Sequence, residues 1–101
     1  MSIFVKFIGQ HVVVRTYSAG VHIGTLAEVE ASPAGLAVVL RDARRLWRWG
    51  GAFTLSEVAT AGINPEKSRM SASVPEHLIS AAIEIIPTQD AARRTFDATH
   101  E

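Results

Sequence analysis

Residues 21–30, VHIGTLAEVE, alternate along the chain. Val21, Ile23, Thr25, Ala27 and Val29 fall on one face of an extended backbone, and His22, Gly24, Leu26, Glu28 and Glu30 on the other. A period of two is the signature of a strand, because successive side chains leave opposite faces of a pleated backbone. Working outward, HVVVRTY (11–17) is rich in β-branched residues and ends at the turn-forming Ser18-Ala19-Gly20. IFVKFI (3–8), closed by Gly9, reads as a further strand. Downstream, Ser32, Pro33 and Gly35 form a turn, and LAVVLR (36–41) is the next strand. Short strands separated by turn residues predict an antiparallel meander.

The texture changes after residue 53. Thr54-Leu55-Ser56-Glu57 fits the S/T-x-x-E capping box, so a short helix over LSEVATA (55–61) is expected. Gly62 stands where a left-handed C-terminal cap belongs. INPEKS is a loop, since Pro65 pushes Asn64 away from helical geometry. RMSASV (69–74) and AAIEIIP (81–87) read as strands. Thr88 is the expected cap of a last helix, QDAARRTFDA, with Ala92 and Phe96 inward and Arg93, Arg94 and Asp97 in water. The predicted fold is one α+β domain over residues 1–101: an N-terminal antiparallel β-meander, a short middle helix and a C-terminal helix.

Composition narrows the function. The chain has 101 residues, 48% of them hydrophobic, with ten basic and ten acidic side chains. A globular core is affordable at that composition, but a general nucleic-acid binder would carry a basic excess. There is no cysteine, which removes disulfides, thiolate metal sites and a cysteine nucleophile. The N-terminus lacks a basic region ahead of an apolar core, and no run approaches eighteen apolar residues. A soluble cytoplasmic protein without a membrane partner is expected. His11, His22, His77 and His100 show no metal-binding spacing, although His11 and His22 could meet across neighbouring strands. No G-x-S-x-G elbow, phosphate-binding loop or paired carboxylates point to catalysis. The expectation is a non-enzyme with no metal and no cofactor.

One stretch carries chemistry. RDARRLWRWGG (41–51) holds four of the ten basic residues and both tryptophans. As a helix it would set Arg41 against Arg45 and Arg44 against Arg48, two like-charge i,i+4 pairs, so a strand is favoured. Alternation then places Arg45, Trp47 and Trp49 on one face and Arg44, Leu46 and Arg48 on the other. The first face can stack a base and neutralise a phosphate. Arginine in place of lysine adds a planar fork suited to phosphate. Gly50-Gly51 allows close backbone approach, and Gly20 and Gly24 leave room on either side of His22, which is expected to be exposed or at a subunit contact. The candidate ligand-binding set is Gly20, His22, Gly24, Arg44, Arg45, Trp47, Trp49, Phe53 and Asn64.

RTYSAGVHIGTL, ARRLWRWGGAFTLSEVA and AIEIIP, in that order, resemble the first-type Thoeris anti-defence sponge family of phages. The resemblance spans residues 15–90 and implies a non-catalytic sponge in the infected bacterial cell. Such a protein sequesters the cyclic ADP-ribose isomer made by a TIR-domain sensor, as a dimer that can build a hexamer. It also implies, for some members, a second site for cyclic trinucleotides that uses the histidine here numbered His22. Thr25 stands where the family carries an arginine, which disfavours trinucleotides. From chemistry alone, a compact dianionic nucleotide needs about two cations, an aromatic plate and hydrogen bonds to its ribose hydroxyls. Nanomolar affinity, about 12 kcal/mol, requires the site to be covered, by a second subunit or by the C-terminal helix with Arg93 and Arg94. Two other readings remain: a protein–protein interaction or structural module with Trp47, Trp49 and Arg45 as a hot spot, and a single-stranded nucleic-acid module.

Overall fold

The computed structural model describes residues 3–101. Five strands form one antiparallel sheet: β1 (His11–Thr16), β2 (Val21–Ser32), β3 (Gly35–Arg48), β4 (Arg69–Met70) and β5 (Val74–Pro87). Helix α1 (Leu55–Thr60) follows β3, and helix α2 (Asp90–Asp97) follows β5. The fold is therefore the α+β domain expected, with one helix in the middle and one at the end. Among the described residues no helix is long and apolar enough to cross a membrane.

The strand order is β2-β1-β5-β3-β4, and β2 also pairs with β3. Strands β1, β2, β3 and β5 thus close a ring of pairings, and the sheet rolls around its own interior. Inside lie Val12, Val14, Leu26, Val38, Leu40, Ala43, Ile79 and Ala82. Outside, Val13, Val21, Ile23, Leu46 and Met70 pack against Val58, Ala59 and Ile63 near α1 and Ala92 and Phe96 of α2. Both faces of β1 are covered, which explains why Val12, Val13 and Val14 can be consecutive and all fully buried.

Two bulges in the β2–β3 ladder shape the roll. On β3, Ile23 pairs with Arg44 and Thr25 with Arg41, so β3 spends one more residue than β2 across this step. Asp42 turns left-handed there, at φ 52°. Gly24 lies opposite, and a Cβ on it would sit 2.9 Å from the Arg41 carbonyl oxygen and 3.2 Å from Ala43 Cα. Pro75 falls between the pairs Arg41–Glu76 and Ala43–Val74, opposite Asp42, where a missing N–H costs the ladder least. The second bulge, at Ala27, shifts the phase of β2, since Leu26 pairs with Leu40 but Glu28 with Val39. Val29 consequently joins Leu26 against the interior, not the Val21 and Ile23 face to which strict alternation assigned it.

Other expectations need correction. IFVKFI is not a strand: Ile3–Val5 is a single 3-10 turn. Strand β1 already has β2 and β5 on its two sides, so no edge is left for it. LAVVLR and the arginine–tryptophan run as far as Arg48 join into one 14-residue strand. RMSASV contributes only Arg69–Met70, and AAIEIIP is the end of a strand that starts at Val74. Thr88 does not cap α2; Gln89 holds that position without a side-chain bond. The Thr88 hydroxyl instead donates to the His11 carbonyl oxygen at 3.1 Å. Half of the capping box forms: the Thr54 hydroxyl accepts from the Glu57 N–H at 3.2 Å, while the Thr54 N–H makes no return bond to the Glu57 carboxylate; Gly62 has φ +91° as expected. Ala92 and Phe96 are buried, and Arg93, Arg94 and Asp97 are exposed.

Gly24→Ala drives a methyl into the backbone of the β3 bulge. It is expected to cost about 1–3 kcal/mol in urea unfolding, whereas Gly20→Ala, at φ +86° with open space around it, costs only its backbone strain.

Candidate functional site

The arginine–tryptophan run ends β3, and its alternation separates Arg44 from Arg45 as predicted; beyond them a bulge at Trp47, between the pairs Leu46–Met70 and Arg48–Arg69, breaks the period, and Trp49 lies past the end of the strand. Arg44 pairs with Ile23 on the helix-covered face. Its Nε donates to Ser71 O at 2.9 Å, one Nη to Phe96 O at 2.8 Å and the other to Thr99 O at 2.7 Å. Three N–H groups of the fork are thereby spent on carbonyls, two of them at the C-terminal end of α2, where a cation is also favoured by the helix dipole. In the single chain Arg44 fastens α2 to the sheet instead of presenting a free cation.

Arg45 pairs with His22 on the opposite face. Its main chain is held by Ser71, whose Oγ accepts the Arg45 N–H at 2.8 Å and whose N–H donates to Arg45 O at 2.9 Å. No ion pair or side-chain hydrogen bond engages its guanidinium among the described residues. Beyond it, Trp47 and Trp49 are 57% and 36% exposed, and Phe53 is 97% exposed.

His22 is fully buried, correcting the expectation that it lies at the surface. The face it shares with Leu26 is the interior of the roll. Thr16 prepares its position: its hydroxyl donates to Gly20 O at 2.7 Å and accepts from the Ala19 N–H at 2.8 Å, with Gly20 in the left-handed conformation. That turn offers Ala19 O to His22 Nε2 at 3.0 Å. A carbonyl only accepts, so the proton of the neutral ring is on Nε2 and Nδ1 is bare. Nδ1 has no partner. The His77 ring stands edge-on to His22, with centroids 4.9 Å apart and planes at 89°. Burial pushes the His22 pKa below its ordinary value; the Ala19 carbonyl opposes this, and His77 and Arg45 add to it.

A cavity of about 560 Å³ opens at this end of the roll, bordered by Arg45, Ser71, Val74, Glu76, His77 and Glu101 among others. Asn64 lies in an adjoining groove of about 610 Å³ with Glu66, Arg69, His100 and Glu101. Its Oδ1 is occupied by the Glu66 N–H at 3.0 Å. Thus His22 and Arg45 of the candidate set come together, Asn64 stands beside them across Glu101, and Trp47, Trp49 and Phe53 line neither cavity. Gly20 and Gly24 serve the turn and the bulge. His77 was missed because Pro75 hid the strand, although the alternation of Glu76 and Leu78 with His77 and Ile79 carries it.

His11 and His22 do not meet; His11 pairs with Thr25 and His22 with Val14. His11 instead lines a separate cleft of about 260 Å³ with Arg93, Asp97 and Asp42. The C-terminal helix therefore brings Arg93 to His11 and not to His22. The His11 ring stacks on Phe96 at 6.1 Å, and its Nδ1 is 2.6 Å from Thr88 Oγ1. Burial, then Arg93, lower its pKa to about 4, with Asp97 opposing. No cluster of three or more metal-ligating side chains forms among the described residues.

Fold and site together define a class: a small α+β domain whose rolled antiparallel sheet ends in a polar mouth beside an exposed aromatic face. The chain belongs to the family described as a domain of unknown function, DUF6948, whose model matches residues 9–96 and so covers every strand and all but the last residue of α2. No curated protein and no solved structure matches it.

Two predictions follow from these contacts. Arg44→Lys loses the three-carbonyl fork and should lower stability by about 2 kcal/mol in urea unfolding. For His11, the folded pKa near 4 lies below the unfolded value of 6.5. Its stabilising effect is complete above pH 6.5 and lost as pH falls toward 4. The full window is worth about 3 kcal/mol, and the ring's partial exposure discounts that to about 1–2 kcal/mol. His11→Gln should reduce the loss of stability between pH 7 and pH 4.5.

Proposed function

We propose that this protein is a non-catalytic sponge that binds and sequesters a small cyclic nucleotide signal, a cyclic ADP-ribose isomer, in the cytoplasm of an infected bacterial cell. The observation that carries the reading is the uncommitted Arg45 guanidinium beside a fully buried imidazole, on a strand that runs through the exposed Trp47 and ends just before the exposed Trp49. A pyrophosphate takes the guanidinium, and a base stacks on an indole. The carboxylates of Glu76 and Glu101, in the same cavity, suit ribose hydroxyls. The likeness of the three sequence segments to Thoeris anti-defence sponges supplies the particular ligand.

A single chain offers half a pocket, since Trp47, Trp49 and Phe53 face solvent. Tight binding needs desolvation, so the reading includes a second copy of the chain, in a dimer or hexamer, closing over this face. The near-complete exposure of Phe53 also favours a second reading, a protein-interaction surface with these aromatics as its hot spot.

Calorimetric titration with a panel of cyclic ADP-ribose isomers and cyclic trinucleotides separates the two. The sponge reading expects nanomolar binding of one isomer, its recovery intact after denaturation, and at least a hundredfold loss in Arg45→Ala and Trp47→Ala. Consumed ligand would make the protein an enzyme. No binding across the panel would overturn the sponge and leave the interaction surface.

A further inference from the structure

The bare Nδ1 of His22 is an unsatisfied acceptor in a fully buried ring, and a second imidazole stands 4.9 Å away. Three groups of one sign converge here if protonated: His22 on β2, His77 on β5 and Arg45 on β3. Opposite His22 on β1 is Val14, which carries no charge. Glu76 and Glu101 face the same cavity from β5 and from the end of the described chain. A proton on Nδ1 would have no acceptor within the protein, and it would sit beside Arg45 and His77. A buried donor left unpaired is costly, so His22 stays neutral until an anion arrives.

An anion docked between Arg45 and His77, both of which line the cavity, cancels the like charges and offers its oxygen to a His77 N–H, so the proton finds its acceptor there and not at the buried Nδ1 of His22. We propose that the His22–His77 pair is a proton-coupled receptor for the phosphoryl group of the ligand, which takes up one proton from solvent as the anion binds. The pair shares that proton, because two imidazolium rings at this distance beside a guanidinium repel. His77 is then a specificity-determining residue, selecting ligands that bring negative charge and rejecting neutral nucleosides of the same shape. This inference rests on the sponge reading and adds its regulation by pH. The depressed proton affinity of His22 in the free protein agrees with it. The sign follows from linkage: binding raises the pair's proton affinity, so affinity for the anion grows as pH falls through the window between the free and bound values.

The test uses the full chain and the cyclic ADP-ribose isomer that binds most tightly in the panel above, whose pyrophosphate diester keeps its charge across the range. Calorimetry at pH 6.5 in PIPES and in bis-Tris, buffers of different ionisation enthalpy, reads the protons exchanged. Uptake approaching one proton is expected, with affinity rising severalfold from pH 8 to pH 6. His77→Gln, on a half-buried ring and less disruptive than replacing His22, should remove most of that slope while the protein stays folded. Glu76→Gln should retain it. Binding with no buffer-dependent heat, or an unchanged slope in His77→Gln, overturns this inference and leaves the sponge reading standing. A slope removed by Glu76→Gln assigns the proton to the carboxylate and also overturns it. If no isomer binds, both fall.

Discussion

The pairing of β2 with β3 is the constraint on which the rest of this structure depends. Without it the strands would form an open sheet with one covered face and one wet face. With it, β1, β2, β3 and β5 close on themselves, and a second core appears inside the roll. Closure demands sharp local bending, and the Asp42 bulge supplies it where Gly24 leaves room for the displaced backbone. A chain this short gains doubly from the arrangement, because closure buries both faces of β1 and shields the edges of four strands.

Closure also decides what the polar residues can do. At the mouth of the roll the interior face runs out of aliphatic side chains and presents His22, His77 and Arg45. A buried imidazole with an empty acceptor is an unusual thing for a small domain to keep. Meanwhile Arg44, one residue from Arg45, is turned to the other face and consumed by the carbonyls of Ser71, Phe96 and Thr99. Neighbouring arginines thus divide the labour: one organises the C-terminal helix, and the other is left with its donors free beside an aromatic surface. The sponge reading and its proton-coupled extension both draw on that division.

Much of this was legible in the residues. The strands of VHIGTLAEVE and HVVVRTY, the Thr54 hydroxyl cap, the left-handed Gly62 and the inward Ala92 and Phe96 all follow from local rules that tertiary contacts did not override. The alternation that separated Arg44 from Arg45 also held. Local rules failed where the answer lay elsewhere in the chain. IFVKFI has the composition of a strand but finds β1 already paired on both sides. Thr88 is placed to cap a helix, yet its hydroxyl meets His11, 77 residues away in sequence. Val29 changes face because one extra residue at Ala27 shifts the period.

By itself, then, the sequence determined the elements that depend on near neighbours: strand periodicity, helix ends, turn glycines, and the concentration of cationic and aromatic side chains in residues 41–51. Only the tertiary structure decided which side chains are free. Burial of His22, its meeting with His77, and the commitment of Arg44 depend on a ring closed by strands up to 75 residues apart, as in the pairing of Val12 with Pro87, and by the pairing of Thr25 with Arg41. A periodic pattern says that two faces differ, but not what lies against each of them, and it is the second fact that sets hydration, hydrogen bonding and charge.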